Sequence, residues 1–359
     1  MKKFFFSLVV AMMATTASFA QSSLLATLSH DGSISAFYGA NALKSALAAA
    51  ESGDVITLSS GQFNAADITK PVTLRGAGMF ISTDSINAHE STIILNNFNI
   101  NISDSLSGRL LMEGLYLKGG VTYAGSINNA QFQKCRFGYI YDNTQVTTKL
   151  VNTAFIHCRI FNEFRCSANS SVYFINCAVC SPSNFYESSN IEFTNCFVKY
   201  DFNSTNGKIP SQVINANYRN CILQPTDYSN GLTIYIPSSC VATNCISVFN
   251  TNSSYYRIFN NMISNITTNK YVSAPSSLFK NYSTTSKDSY IQDHYDFHLT
   301  DDAAKTYLGN DGTQIGIYGG NLPYEEDPTI PQITKCNVAA KSTADGKLSV
   351  DIEVKAAEY

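Results

Sequence analysis

Six times in the middle of this chain a cysteine stands three positions after an aromatic or small residue. The copies are Phe132-Gln-Lys-Cys135, Phe155-Ile-His-Cys158, Phe174-Ile-Asn-Cys177, Phe193-Thr-Asn-Cys196, Tyr218-Arg-Asn-Cys221 and Ala242-Thr-Asn-Cys245. The cysteines are 23, 19, 19, 25 and 24 residues apart. Met112-Glu-Gly-Leu115 and Phe259-Asn-Asn-Met262 fit the same frame without the thiol. A unit this short cannot bury its own apolar face, so it must stack on copies of itself.

Alternation around each copy gives the strands. Val172 and Ile191 precede their aromatics by two, and Phe137, Ile160, Val179, Val198 and Leu223 follow their cysteines by two. Between aromatic and cysteine the inward spacing is three, which requires a one-residue bend. Asn176, Asn195, Asn220 and Asn244 occupy it, since Asn tolerates a left-handed backbone best after Gly; Lys134 and His157 stand there in the earlier copies. Strand, bend, strand and loop predict an all-β fold, a single-stranded parallel β-helix or solenoid. The cysteines should then form an interior column about 4.8 Å apart. We expect packed apolar thiols, because side chains stacked in parallel do not meet the disulfide torsion. The bend asparagines should form a ladder of amide hydrogen bonds. Cys166, Cys180, Cys240 and Cys336 fall outside the repeat, and their redox state is open.

Composition agrees with strands and turns. Only 14% of the 359 residues are charged, against 12% aromatic. With 24 Lys+Arg against 27 Asp+Glu there is no basic footprint for nucleic acid. Lys2 and Lys3, an apolar run from Phe4 through Met13, and Ser18-Phe19-Ala20 before Gln21 predict a signal peptide over residues 1–20. That run is shorter than the about 18 apolar residues of a membrane anchor, and no later segment is apolar enough to span a bilayer. The expected mature chain is an exported monomer, whether periplasmic, cell-surface or secreted.

Ahead of the repeats, Ala42 to Ala50 reads as a helical run. It is followed by Gly53-Asp54-Val55-Ile56-Thr57-Leu58, Gly61-Gln62-Phe63 and Pro71-Val72-Thr73-Leu74-Arg75-Gly76. This opening resembles that of the pectin-lyase-like superfamily of right-handed β-helices, which implies an N-terminal capping helix. Asp296-Phe297-His298-Leu299 and Gly309-Asn310-Asp311-Gly312-Thr313-Gln314-Ile315-Gly316-Ile317-Tyr318-Gly319-Gly320 resemble the last coil of exported bacterial β-helix proteins. The resemblance places a β-helix domain with its cap over residues 21–322. Pro323, Pro328 and Pro331 mark residues 323–332 as a linker. Residues 333–359 read as a β-hairpin around Asp345-Gly346. It would cap the open last rung or represent part of an appended sandwich module.

The resemblance also frames the chemistry. Lyases of this superfamily use Arg or Lys to abstract a proton beside a uronate carboxylate, aided by calcium, and its hydrolases use clustered Asp. Between residues 92 and 265 the acids are scattered, with no Asp-Asp pair. The best cationic set is Arg136 and Arg159, each directly after its cysteine, with Glu163 and Arg165 beyond. On adjacent rungs these could clamp an anionic sugar, or simply solvate the outer face. Asp301, Asp302 and Asp311 are candidate calcium ligands, although turn and cap roles suit them as well. His294 and His298 lack the helical pattern of a zinc pair. Outward aromatics, Tyr139, Tyr141, Phe161, Phe164 and Tyr186 with Tyr173, Phe185 and Tyr200, point to sugar stacking. The expectation is a glycan-recognising protein. A lyase acting on a uronate-containing polysaccharide is the alternative, and a structural or adhesive surface protein the third reading.

Overall fold

A computed structural model describes residues 24–81, 91–103, 106–142, 149–180, 182–183, 189–200, 216–225, 240–248, 268–272, 275–281, 291, 295–327, 332–338, 341–343 and 345–355. The expected signal peptide, the Phe259 repeat copy, Phe185, Tyr186 and His294 lie outside the described residues, as do the side chains of Tyr200 and Cys336.

The repeats build a parallel β-solenoid. Among the described residues one sheet has 11 strands and another 12. The first sheet takes the strand before each bend and pairs the repeat aromatics in register: Phe132 with Phe155, Phe155 with Phe174, Phe174 with Phe193, and Phe193 with Tyr218. The second takes the strand after it, with Ile160 on Val179, Val179 on Val198 and Val198 on Leu223. The predicted bend is present in all six cysteine copies, with φ between 48° at Lys134 and 55° at Asn244. Register makes identical rings meet: Phe132, Phe155, Phe174, Phe193 and Tyr218 form one stack with centroids 4.7 to 5.0 Å apart.

All six repeat cysteines line the interior as thiols without disulfides. They do more than fill space. Cys196 Sγ lies 3.3 Å from the Phe174 carbonyl and 3.2 Å from the Thr194 carbonyl, and its amide donates to Cys221 Sγ at 3.4 Å. The next thiol in the column therefore accepts from the peptide amide at the bend, and the Cys196 sulfur adds a weak contact to carbonyls of the neighbouring strands. Where the column ends, Asn269 takes over, accepting from Cys245 N at 2.8 Å and donating to the Ala242 carbonyl at 2.9 Å. Burial pushes the Cys135 thiol up to about 12, so it stays protonated and unreactive. Replacing Cys196 by Ala should cost about 1–2 kcal/mol in urea unfolding, from lost packing and one weak sulfur hydrogen bond. An unchanged midpoint would reduce the thiol to filler.

At the N-terminal end the helix is Ala42–Ala49, burying Ala42, Leu43 and Ala46. A hairpin that sequence reading did not anticipate, Leu25–His30 with Ser33–Tyr38, pairs antiparallel onto Val55–Leu58 and ends the first sheet. At the other end, Gln332–Val338 pairs with Val350–Lys355 as the expected antiparallel hairpin. Its second strand is exposed on both faces. Val350, Ile352 and Val354 are 50%, 51% and 57% exposed, and Asp351 and Glu353 on the opposite face are exposed too. Among the described residues no helix is long and apolar enough to cross a membrane.

The C-terminal part of the chain does a different job. Phe279, Phe297, Leu299, Ile315, Ile317 and Tyr324 pack over the outer face of the second sheet and bury Ala178, Phe197, Ile222 and Ile246 there. These four directly follow their cysteines, so the later rungs of this sheet are buried on both faces.

Candidate functional site

Arg136 and Arg159 are paired on adjacent strands, in the position that later rungs give to Ala178, Phe197, Ile222 and Ile246. The juxtaposition expected from sequence is therefore real, but neither side chain stands open to solvent. Arg159 is 4% exposed; its Nε donates to Tyr324 Oη at 2.8 Å and its guanidinium meets Glu326 Oε1 at 2.5 Å. Arg136 is half-buried among rings, with Cζ 3.9 Å from the Tyr116 centroid and 4.3 Å from that of Phe161. Such stacking suits a planar, weakly hydrated guanidinium.

The partners of Arg159 belong to a strap, residues 308–327, that runs back along the bend column. Asn244 Nδ2 donates to the Leu308 carbonyl at 2.8 Å, and Asn220 Nδ2 donates to Asn310 Oδ1 at 2.9 Å. Asn176 Nδ2 donates to the carbonyls of Ile317 and Gly319, both at 2.7 Å. His157 Nε2 is 3.0 Å from the Leu322 carbonyl, and Lys134 Nζ is 2.8 Å from Glu325 Oε2 and 2.7 Å from the Asp327 carbonyl. The expected rung-to-rung asparagine ladder is thus largely replaced: Asn244 donates to Asn220 Oδ1 at 3.1 Å, while the Asn176 amide is directed at the strap. The strap also accounts for its own glycines. A Cβ on Gly320 would sit 2.2 Å from Asn195 Nδ2, and one on Gly319 only 1.8 Å from the Gln314 carbonyl.

Two of the aromatics expected to face a sugar are buried. Phe164 is fully enclosed in the solenoid, edge-on to Phe155 and Phe174, and Phe161 is 9% exposed in the outer apolar layer. A register shift between Phe137 and Tyr139 decides this. Inward positions run Phe137 then Ile140 on one strand, and Ile160 then Phe164 on the next, which leaves Tyr139 and Tyr141 outward.

Four nominated residues do converge. Tyr139 and Tyr141 are half-exposed and stacked at 5.4 Å, and Tyr139 is in register with Glu163. Arg165 Nε meets Glu163 Oε1 at 2.6 Å, and its Cζ lies 5.5 Å from the Tyr141 centroid. Gly120 is in register with Tyr139 and presents no side chain next to the pair; a Cβ there would come within 3.4 Å of the Tyr141 ring. The outcome is an outward patch of two rings, one carboxylate and one guanidinium. Tyr173 faces outward on the first sheet, half-buried, where it is in register with Glu192.

The remaining candidates have local duties. Asp301 and Asp302 open the helix Asp301–Thr306, whose N-cap Thr300 Oγ1 accepts from Ala303 N at 3.2 Å. Asp301 pairs with Lys280 at 2.9 Å, and Asp311 accepts from Thr313 N and Thr313 Oγ1 in its own turn. Among the described residues no three His, Cys, Asp or Glu side chains gather as a metal site. His298 stacks on Tyr318 at 3.8 Å and shares its Nδ1 with Asp296 at 2.6 Å. Burial raises that carboxyl, but hydrogen bonds from the His298 amide and ring and from Asn281 outweigh it and hold Asp296 below the usual range.

No family model, no curated protein and no solved structure matches the chain.

Proposed function

We propose that the protein recognises an extracellular polysaccharide or surface glycan through the Tyr139–Tyr141–Glu163–Arg165 patch. The observation that carries this is the stacked tyrosine pair held outward beside a carboxylate and a guanidinium. Rings of this kind lie against the apolar faces of sugars while the two charged groups take their hydroxyls. The same reading makes the chain an exported, pectin-lyase-like β-helix, in keeping with its signal-like N-terminus and its parallel solenoid. A lyase acting through Arg159 has no comparable support, because that guanidinium is already bonded to Glu326 and Tyr324.

The test is calorimetric titration of the mature chain with a panel of neutral and uronate-containing polysaccharides. At least one should bind, and Tyr139→Ala and Tyr141→Ala should each weaken it about tenfold or more, equivalent to about 1.4 kcal/mol. Tyr173→Ala, on the other sheet, should leave it unchanged. Binding that survives both patch substitutions would place the site elsewhere.

A further inference from the structure

His157 is the one titratable ring on the bend column, where most rungs carry Asn. It is 6% exposed and packed under the strap. Its contact with the Leu322 carbonyl needs a proton on Nε2, which leaves Nδ1 a bare lone pair. Nδ1 is buried and has no hydrogen-bond partner. A second proton there would create a buried cation with nothing to accept its N–H, and burying such a group is costly.

The neighbouring groups act on that proton in both directions. Lys134 stands one rung away in the same column, its ammonium engaged with Glu325. The Tyr324 ring lies 6.0 Å away, the Cys177 thiol lines the inner side, and Arg159 with Glu326 follows along the strap. Burial is the main influence on the ring and holds it below the usual histidine range, and Lys134 acts in the same direction. The Leu322 carbonyl, Cys177 and Glu325 pull the other way but do not outweigh them.

We propose that the stretch Gly319–Asp327 is an acid-sensitive latch, released from the bend column when His157 Nδ1 takes up a proton. Release would expose Lys134 and Arg159 and free the linker that carries the C-terminal hairpin. The sign follows from linkage. An undocked ring titrates near 6.5 and the docked ring lower, so docking is at full strength above the ordinary histidine range and weakens as pH falls through it. If the docked ring stays neutral, the open population rises about 30-fold between pH about 7.5 and about 5.0.

Amide hydrogen exchange of the full chain, corrected for the intrinsic rate at each pH, reads this directly. Protection over Gly319–Asp327 should fall about 10- to 30-fold between pH about 7.5 and about 5.0, with the loss setting in near pH 6.5, while the Phe174 and Phe193 strands stay protected. In His157→Gln, which keeps an amide donor for Leu322 but cannot take up the proton, the same stretch should change less than about threefold. A flat wild-type profile, or a Gln variant that follows the wild type, overturns the latch. Should the Gln variant not fold, the wild-type onset decides. Loss that sets in near pH 6.5 supports histidine, whereas protection that stays flat down to pH about 5 overturns the proposal.

Discussion

Arg159→Ala is expected to destabilise the chain by about 2–4 kcal/mol, measured as the shift in urea midpoint at constant slope. The substitution removes a guanidinium that is 4% exposed, opens a void beside Phe297 and Tyr324, and leaves the enclosed Tyr324 hydroxyl without its partner. Breaking a fully buried ion pair costs about 3–5 kcal/mol because the surviving charge is stranded. Here the survivor, Glu326, is 42% exposed and can turn to water, which places the cost below the upper end. By the same reasoning Glu326→Gln should cost about 1 kcal/mol or less, since Arg159 keeps Tyr324 and the neighbouring rings. Equal losses in the two variants would contradict the burial asymmetry. A loss under about 0.5 kcal/mol for Arg159→Ala would show an ordinary surface pair.

Phe174→Ala should cost about 3–5 kcal/mol. The ring is stacked between Phe155 at 5.0 Å and Phe193 at 4.7 Å, and Phe164 closes its edge at 5.0 Å. Neither neighbour can collapse into the gap without leaving its own register, because each is fixed by the parallel pairing of its strand. Within the solenoid sheets each rung pairs only with the next, so a weakened middle rung leaves the strap as the remaining tie between the two halves. We therefore expect a broadened unfolding transition as well as a lower midpoint. Phe174→Leu, which refills most of the volume, should restore more than half of the loss. A sharp transition with a loss under about 1.5 kcal/mol would mean that the stack contributes area and no rigidity.

Much of the fold could be read from local spacing. The three-residue step between Phe174 and Cys177 requires a bend whatever the rest of the chain does, and the bend has the left-handed φ that Asn favours. Inward alternation followed from a period of two up to Val179 and Leu223. It failed at Phe164, where a register shift that no local pattern marks turned an expected outward ring into core. The candidate site was legible in composition but not in placement. Tyr139, Tyr141, Glu163 and Arg165 do come together, whereas Arg159 does not face solvent.

A signal for that second layer was present. Ala178, Phe197, Ile222 and Ile246 are apolar at an outward position, which makes sense only if something covers them. The same position holds Arg159 where the strap brings Tyr324 and Glu326, and Arg136 where the Tyr116 and Phe161 rings receive it. His157 and Lys134 break the run of asparagines for a related reason, since the strap offers them a carbonyl and a carboxylate.

What the sequence by itself determined is the rung: its length, its bend and its inward face, all set by the chirality of the backbone and the need of each unit to bury one side. What only the tertiary structure decided is which outward residues remain outward. That depends on how the strap 308–327 packs against the solenoid, a contact between positions more than a hundred residues apart that no periodicity within the repeats encodes.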